Sequence, residues 1–279
     1  MKVHHIRSAT MLLSMGDHRL LVDPMLAKPG SFPGFKMVGG GRRPNPLVPL
    51  PSSAQDCLDQ ATAVLITHEH PDHLDVAAVE WIKARRLPVW ASSIDLPSLR
   101  ARGLDAQELR DGSLGLAVEI IPARHGRGLI GWLMGPVAGY YLAHPEEPSV
   151  YLTSDAVLTD EILEAVTRLS PDLVIAPAGA ANFGVGPDIL FSVEELIALI
   201  RRASGEVLLN HLEALDHCPT TRVELRARIV AEGLGARVHI PEDGEELSFS
   251  RRDVKPHARP KIRPSHGPGF QKWISSKIG

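Results

Sequence analysis

Residues 63–75 read AVLITHEHPDHLD. Residues 63–67 form a short apolar run of the kind that makes a strand buried on both faces. Directly after it come His68, His70, Asp72 and His73, all metal-ligating types, crowded into one loop. Open α/β sheets place their sites at the carboxyl ends of strands, so this loop stands where chemistry is expected. In an extended segment His68 and His70 project the same way, because side chains repeat every two residues. The turn that follows brings Asp72 and His73 to the other side of the same spot. Neutral imidazoles and a carboxylate suit zinc, iron or manganese. Two ligand clusters from one loop favour two adjacent metal ions.

Further ligands are expected at other strand ends. Ile120–His125 (IIPARH) puts His125 just past an apolar strand, Val150–Asp155 (VYLTSD) ends on Asp155, and Glu206–His211 (EVLLNH) ends on His211. A lone histidine after a strand is usually a surface residue. Three such hits in order, with the loop motif upstream, reverse that expectation.

Working outward, the chain opens with β-like segments at 2–7, 10–15 and 19–22, the last ending in Asp23-Pro24. Asp23 reads either as a turn former or as a hydrogen-bond partner for a ligand histidine. Residues 28–53 form a long Gly/Pro-rich loop, whose length marks it as functional or mobile. Helices are expected over 75–86, 159–169, 192–203 and 220–232. Thr159 caps the second, and a Ser192-to-Glu195 capping box opens the third. Strands are expected at 88–91, 116–121, 138–143, 150–153, 172–176, 207–209 and 237–240. Strands first, then βαβα, implies sheets covered by helices. Residues 251–279 stand apart as a basic tail, with Asp253 as their one acid; residues 1–250 read as the folded domain.

Composition narrows the classes. The chain has 279 residues, 44% of them hydrophobic and 23% charged, with net charge −3, which excludes disorder and gives no pull toward nucleic acid. Two cysteines beside 13 histidines leave room for one disulfide at most, so any metal must be held by imidazole and carboxylate. The N-terminal apolar residues are broken by His4, His5, Arg7 and Asp17, and no long apolar run follows, so neither a signal peptide nor a membrane helix is expected. A cytoplasmic protein acting on a small molecule, free to form a homo-oligomer, is the expectation.

These residues together resemble the metallo-β-lactamase-fold superfamily. The features that carry the resemblance are the strand ending in Asp23-Pro24, the His-x-His-x-Asp-His loop, and then His125, Asp155 and His211 in that order. The branch that looks nearest is that of the L-ascorbate-6-phosphate lactonase-like hydrolases. The resemblance implies an α/β fold built as a four-layer αββα sandwich. It implies that His68, His70 and His125 hold one divalent ion, that Asp72, His73 and His211 hold a second, and that Asp155 bridges them. Zinc is the first choice, with manganese or iron as alternatives.

Such a site favours a metal-bridging hydroxide that attacks an ester, lactone or phosphoester. Asp72 is expected to orient the nucleophile or take its proton, and His217 to act as a pocket residue. Flavodiiron relatives carry Glu where this chain has His70, which favours hydrolysis; a persulfide-dioxygenase-like iron enzyme and a nuclease remain the alternatives. If Arg42, Arg43, Arg124 and Arg127 converge on the metals, the substrate is anionic. The small-residue segment 179–187 is expected to line the pocket through Asn182 or Phe183. Cys218, beside His217, reads as a packing thiol.

Overall fold

The structure is a computed structural model that describes residues 1–252. The basic tail therefore lies outside the described residues except for Arg251 and Arg252, and Arg252 pairs with Asp172. The N-terminal half builds a seven-stranded sheet from β1 (Lys2–Arg7), β2 (Thr10–Met15), β3 (His18–Val22), β4 (Ala63–Leu65), β5 (Val89–Ala91), β6 (Ala106–Glu108) and the late β13 (Glu246–Ser248). Its order is β13-β1-β2-β3-β4-β5-β6, antiparallel from β13 to β3 and parallel beyond. The second sheet has six strands: β7 (Ala117–Arg124), β8 (Pro136–Ala143), β9 (Val150–Leu152), β10 (Leu173–Pro177), β11 (Glu206–Asn210) and β12 (Val238–His239), in the order β12-β11-β10-β9-β8-β7.

Alternation along the strands sorts the core into layers. Met11, Leu13, Leu20, Val22 and Leu65 face Tyr140, Leu152, Ile175 and Leu208 in a core shared by both sheets. Their neighbours Leu12, Leu21 and Val64 turn outward onto α1 (Ala54–Gln60), α2 (Val76–Arg85) and α3 (Leu96–Ala101). On the far side Val174, Ala176, Val207 and Leu209 meet α5 (Asp160–Leu169), α6 (Val193–Arg202) and α7 (Arg222–Ala231). The result is the expected αββα sandwich. Among the described residues, no helix is long and apolar enough to cross a membrane.

Capping defines the outer helices. Asp75 accepts from the Ala78 N–H and Thr159 from that of Ile162. Ser192 and Glu195 form both arms of the expected capping box, and Thr221 with Glu224 forms another. The sequence reading differs at α1, α3, β6, β13 and α4 (Gly128–Met134), none of which was anticipated. It also stops β7 short. That strand runs through Pro122 to Arg124, which is tolerated because β7 is an edge strand and one side of it needs no ladder donor.

Candidate metal centre

Five strand ends meet at one edge of the two sheets. Asp23 follows β3, the 67–73 loop follows β4, His125 follows β7, Asp155 comes just after β9 and His211 directly follows β11. Backbone strain concentrates there: Asp23, Ser154 and His211 hold φ of 46°, 60° and 59°. Non-glycine residues keep the left-handed conformation only where their surroundings enforce it. For His211 the enforcement includes its N–H, which donates to the Ser8 carbonyl at 2.9 Å.

The seven anticipated side chains gather in two groups. His68, His70 and His125 form one, and Asp72, His73, Asp155 and His211 the other; within each, the ligand atoms lie within 4.8 Å of one another. All are buried except His70, which is half-buried. Asp155 touches both groups, since its Oδ2 lies 3.1 Å from His73 Nε2, 3.5 Å from His211 Nε2 and 3.7 Å from His125 Nε2. Asp72 Oδ2 lies 3.4 Å from His211 Nε2.

Each imidazole except His70 is oriented through Nδ1. His73 donates to Asp23 Oδ2 at 2.9 Å and His125 to the Ile189 carbonyl at 2.9 Å. His68 Nδ1 meets the Thr67 hydroxyl at 3.1 Å and that of Ser154 at 3.4 Å. The Thr67 hydroxyl itself donates to Asp23 Oδ2 at 2.7 Å, so its oxygen is left to accept from His68. His211 Nδ1 faces the Cys218 sulfur at 3.5 Å. With Nδ1 committed, Nε2 is the free ring nitrogen. The Nε2 atoms of His68, His73 and His211 are buried without a hydrogen-bond partner. Buried polar atoms are ordinarily hydrogen-bonded; these Nε2 atoms, one in the first group and two beside the carboxylates of the second, suit coordination to cations.

The electrostatics agree. Burial pulls His68 well below its usual range, lowers His70, and takes His125 to about 4, leaving neutral ligands. In the other group burial is outweighed by charge. Asp155 and Asp23 raise His73 to about 10, and Asp155 is also the main cause that raises His211 well above the ordinary value. Burial opposes ionisation of Asp72 and Asp155, but the neighbouring histidines hold both below the usual carboxylate range. Without metal, protons on His73 and His211 balance the two carboxylates, in the place a divalent cation would take.

The flanking residues were read less well from sequence. His217 is buried against Phe35, with ring centroids 5.0 Å apart, and stacks on Phe183 at 6.3 Å. Its Nδ1 faces the Cys218 sulfur at 4.0 Å, and among the described residues no hydrogen bond uses its Nε2. Cys218 packs as expected, but it also orients His211. Burial pushes its thiol up, and His217 and His211 together bring it down to about 7. Asn182 is spent on its own loop, bonding the Ala180 carbonyl and Asp188, so Phe183 is the residue of that segment that reaches the site. The four arginines do not converge. Arg127 pairs with Glu195, Arg42 Nε bonds the Gly34 carbonyl, and Arg43 and Arg124 are exposed. Thr67, Ser154 and the Ile189 carbonyl were missed, because only the fold brings them beside the rings.

The 28–53 loop is pinned rather than loose. Asp216 accepts from the N–H groups of Phe35 (2.8 Å), Lys36 (3.3 Å) and Arg43 (3.2 Å), and from Asn45 Nδ2 (3.0 Å). A Cβ at Gly34 would lie 2.4 Å from both the Arg43 carbonyl oxygen and Asp216 Oδ2, so this approach requires glycine.

Comparison with known proteins places this arrangement. The UPF0173 protein YddR of Bacillus subtilis is 28% identical over 255 residues, covering 89% of this chain and 100% of YddR. A UPF0173 metal-dependent hydrolase of Pyrobaculum aerophilum is 24% identical over 257 residues, covering 88% of this chain and 99% of the relative. The crystal structure of an isothiocyanate hydrolase from Delia radicum gut bacteria matches with a TM-score of 0.82 at 28% identity, over 90% of this chain and 100% of that one. The profile of the Beta-lactamase superfamily domain matches residues 18–211. That match spans most of the chain, including parts of both sheets and all the gathered His and Asp side chains, and the chain belongs to the beta-lactamase superfamily, with the metallo-β-lactamase fold.

Proposed function

We propose that the protein is a dinuclear metal-dependent hydrolase of small molecules. The observation that carries this is the pair of ligand groups meeting at Asp155, with three buried Nε2 atoms that make no hydrogen bond. In this reading His68, His70 and His125 hold one ion, Asp72, His73 and His211 hold the other, and Asp155 spans them. Zinc suits this imidazole–carboxylate set, as do manganese and iron. When bound, two such cations supply Lewis acidity and lower the pKa of water toward neutrality, so no serine or cysteine nucleophile is needed.

The chain's own residues do the rest. Asp72, kept as a carboxylate, takes the proton of the attacking water on the oxygen it does not give to the metal. His217 offers its uncommitted Nε2 to the departing group and carries the proton that group needs. Asp23, Thr67, Ser154, the Ile189 carbonyl and Cys218 fix which nitrogen of each ring faces the site. The electrophile is a small-molecule carbon or phosphorus centre. Ester, lactone and phosphoester substrates follow from the lactonase-like resemblance, and the isothiocyanate hydrolase adds the N=C=S carbon to that set. The two free cysteines suit a reducing compartment, so the cytoplasm is the proposed location.

The test is turnover of an aryl ester, a lactone, an aryl phosphate and an aryl isothiocyanate by zinc-, manganese- and iron-loaded protein. Activity on at least one is expected, abolished by chelation and restored by metal. His217→Ala should lower kcat roughly 10²-fold without changing metal content. Turnover that persists after complete metal removal would refute the reading.

A further inference from the structure

Apolar side chains border the ligand groups. Phe35 and Phe183 contact the ring of His217, itself 6.4 Å from the His211 ring. α4 packs on the same apolar cluster as Phe35 and Phe183: its last residue Met134 makes a backbone hydrogen bond with His70, and its Ile130 packs with Met134. Phe35, Phe183, Ile130 and Met134 are each only half-buried, so each keeps an open face.

These walls are preformed. Asp216 pins the Phe35 segment, as described above. The Phe183 carbonyl accepts from the N–H groups of Met37 (2.9 Å) and Val38 (3.2 Å), which ties the two aromatic segments together. A Cβ at Gly184 would lie 2.1 Å from the Val38 carbonyl oxygen, and one at Gly186 would lie 2.5 Å from Ile130 Cδ1. The 184–186 segment is thus wedged between the 37–38 segment and α4.

The four wall side chains are themselves uncharged, although Lys36 follows Phe35 in the chain and the Asp216 carboxylate bonds the Phe35 N–H. Among the described residues, no lysine or arginine side chain bonds or pairs with any of the seven His and Asp side chains. An anionic substituent here would lose water without gaining a partner, which is unfavourable. An aromatic or branched-alkyl substituent would bury the open faces of Phe35 and Phe183 instead.

We infer that the substrate is an uncharged molecule whose apolar group seats against Phe35, Phe183 and Met134, with its reacting atom at the metal groups. This rests on the metallohydrolase reading and adds the substrate's polarity to it. Specificity on this view lies in Phe35 and Phe183, not in the arginines.

The test uses three hydroxamates with one shared metal-chelating head: acetohydroxamate, 3-phenylpropanohydroxamate and succinate monohydroxamate. Binding to the zinc-loaded full chain is measured by calorimetry. The phenyl compound should bind at least about tenfold tighter than acetohydroxamate, from the apolar area its ring buries. The succinyl compound should bind no tighter than acetohydroxamate. Replacing both aromatics (Phe35→Ala with Phe183→Ala) should abolish the phenyl advantage, read as a ratio of affinities that metal content does not move. Equal affinities in the unaltered protein, a tighter succinyl compound, or a phenyl advantage that survives the double substitution overturns the subsite alone. Failure of all three to bind overturns the metal centre, and the subsite falls with it.

Discussion

Replacing Asp23 by asparagine should weaken one metal site and spare the other. Asp23 is buried and accepts three hydrogen bonds, from Thr67 N–H at 2.7 Å, the Thr67 hydroxyl at 2.7 Å and His73 Nδ1 at 2.9 Å. Asparagine has nearly the same shape but only one acceptor oxygen. In one orientation its NH₂ meets both the Thr67 hydroxyl and His73; in the other it meets the Thr67 N–H. Each leaves at least one buried donor facing another donor. A hydrogen bond to a charged group contributes about 1.5–3 kcal/mol, so the metal-free protein should lose at least roughly that much stability. Losing the partner of a ligand histidine typically costs about 10–100-fold in metal affinity. Zinc competition against a chromogenic chelator reads the effect. The site containing His73 should weaken by that factor, while the site of His68, His70 and His125 keeps most of its affinity. A folded Asp23→Asn variant with both affinities unchanged would refute the claim that Asp23 sets the His73 ring for metal.

Two further outcomes follow from the electrostatics and the loop. Burial lowers His73, but Asp155 and Asp23 raise it to about 10, and His211 also stands well above its ordinary value, so both rings are protonated at neutral pH without metal. Metal must displace those protons. Affinity should therefore rise with pH, and calorimetry in buffers of different ionisation enthalpy should show about two protons released per chain at pH 7; no release would contradict the assignment. Asp216→Asn should free the loop around Phe35, with faster limited proteolysis between 34 and 45 and a stability loss of about 2 kcal/mol. Burial raises the Asp216 carboxyl, but the donors from Phe35, Asn45, Arg43 and Lys36 hold it below its usual value. Its contribution is thus present above about pH 4 and lost as pH falls through the folded value. Proteolysis of the native chain that shows no acid dependence would count against this pinning.

The layered core was legible because it rests on local periodicity. Met11, Leu13 and Leu20 alternate with Leu12 and Leu21 between the two cores, and that alternation is visible in the chain itself. The ligand loop was legible for a similar reason: His68, His70, Asp72 and His73 are neighbours in sequence, and the partner residues sit at ends of readable strands. What could not be read is what only the fold creates. The helix α4 (GLIGWLM) has two glycines, no polar face and no capping side chain, so nothing local announces it. Length alone leaves the 28–53 loop open as functional or mobile, because the carboxylate that pins it belongs to Asp216, far along the chain. Arg124 and Arg127 flank His125 in sequence and Arg42 and Arg43 lie in the Gly/Pro loop, which left open a convergence on the metals, yet Glu195 and the Gly34 carbonyl claim Arg127 and Arg42. Cys218 shows only one neighbour in sequence, His217, while the fold sets its sulfur beside His211.

The most direct test is an anomalous-difference map from a crystal of the full chain grown with zinc and collected at the zinc edge. Two peaks should appear, one among His68, His70 and His125 and one among Asp72, His73 and His211, with Asp155 between them. No peak at these seven side chains, or a single peak elsewhere, would contradict the dinuclear centre.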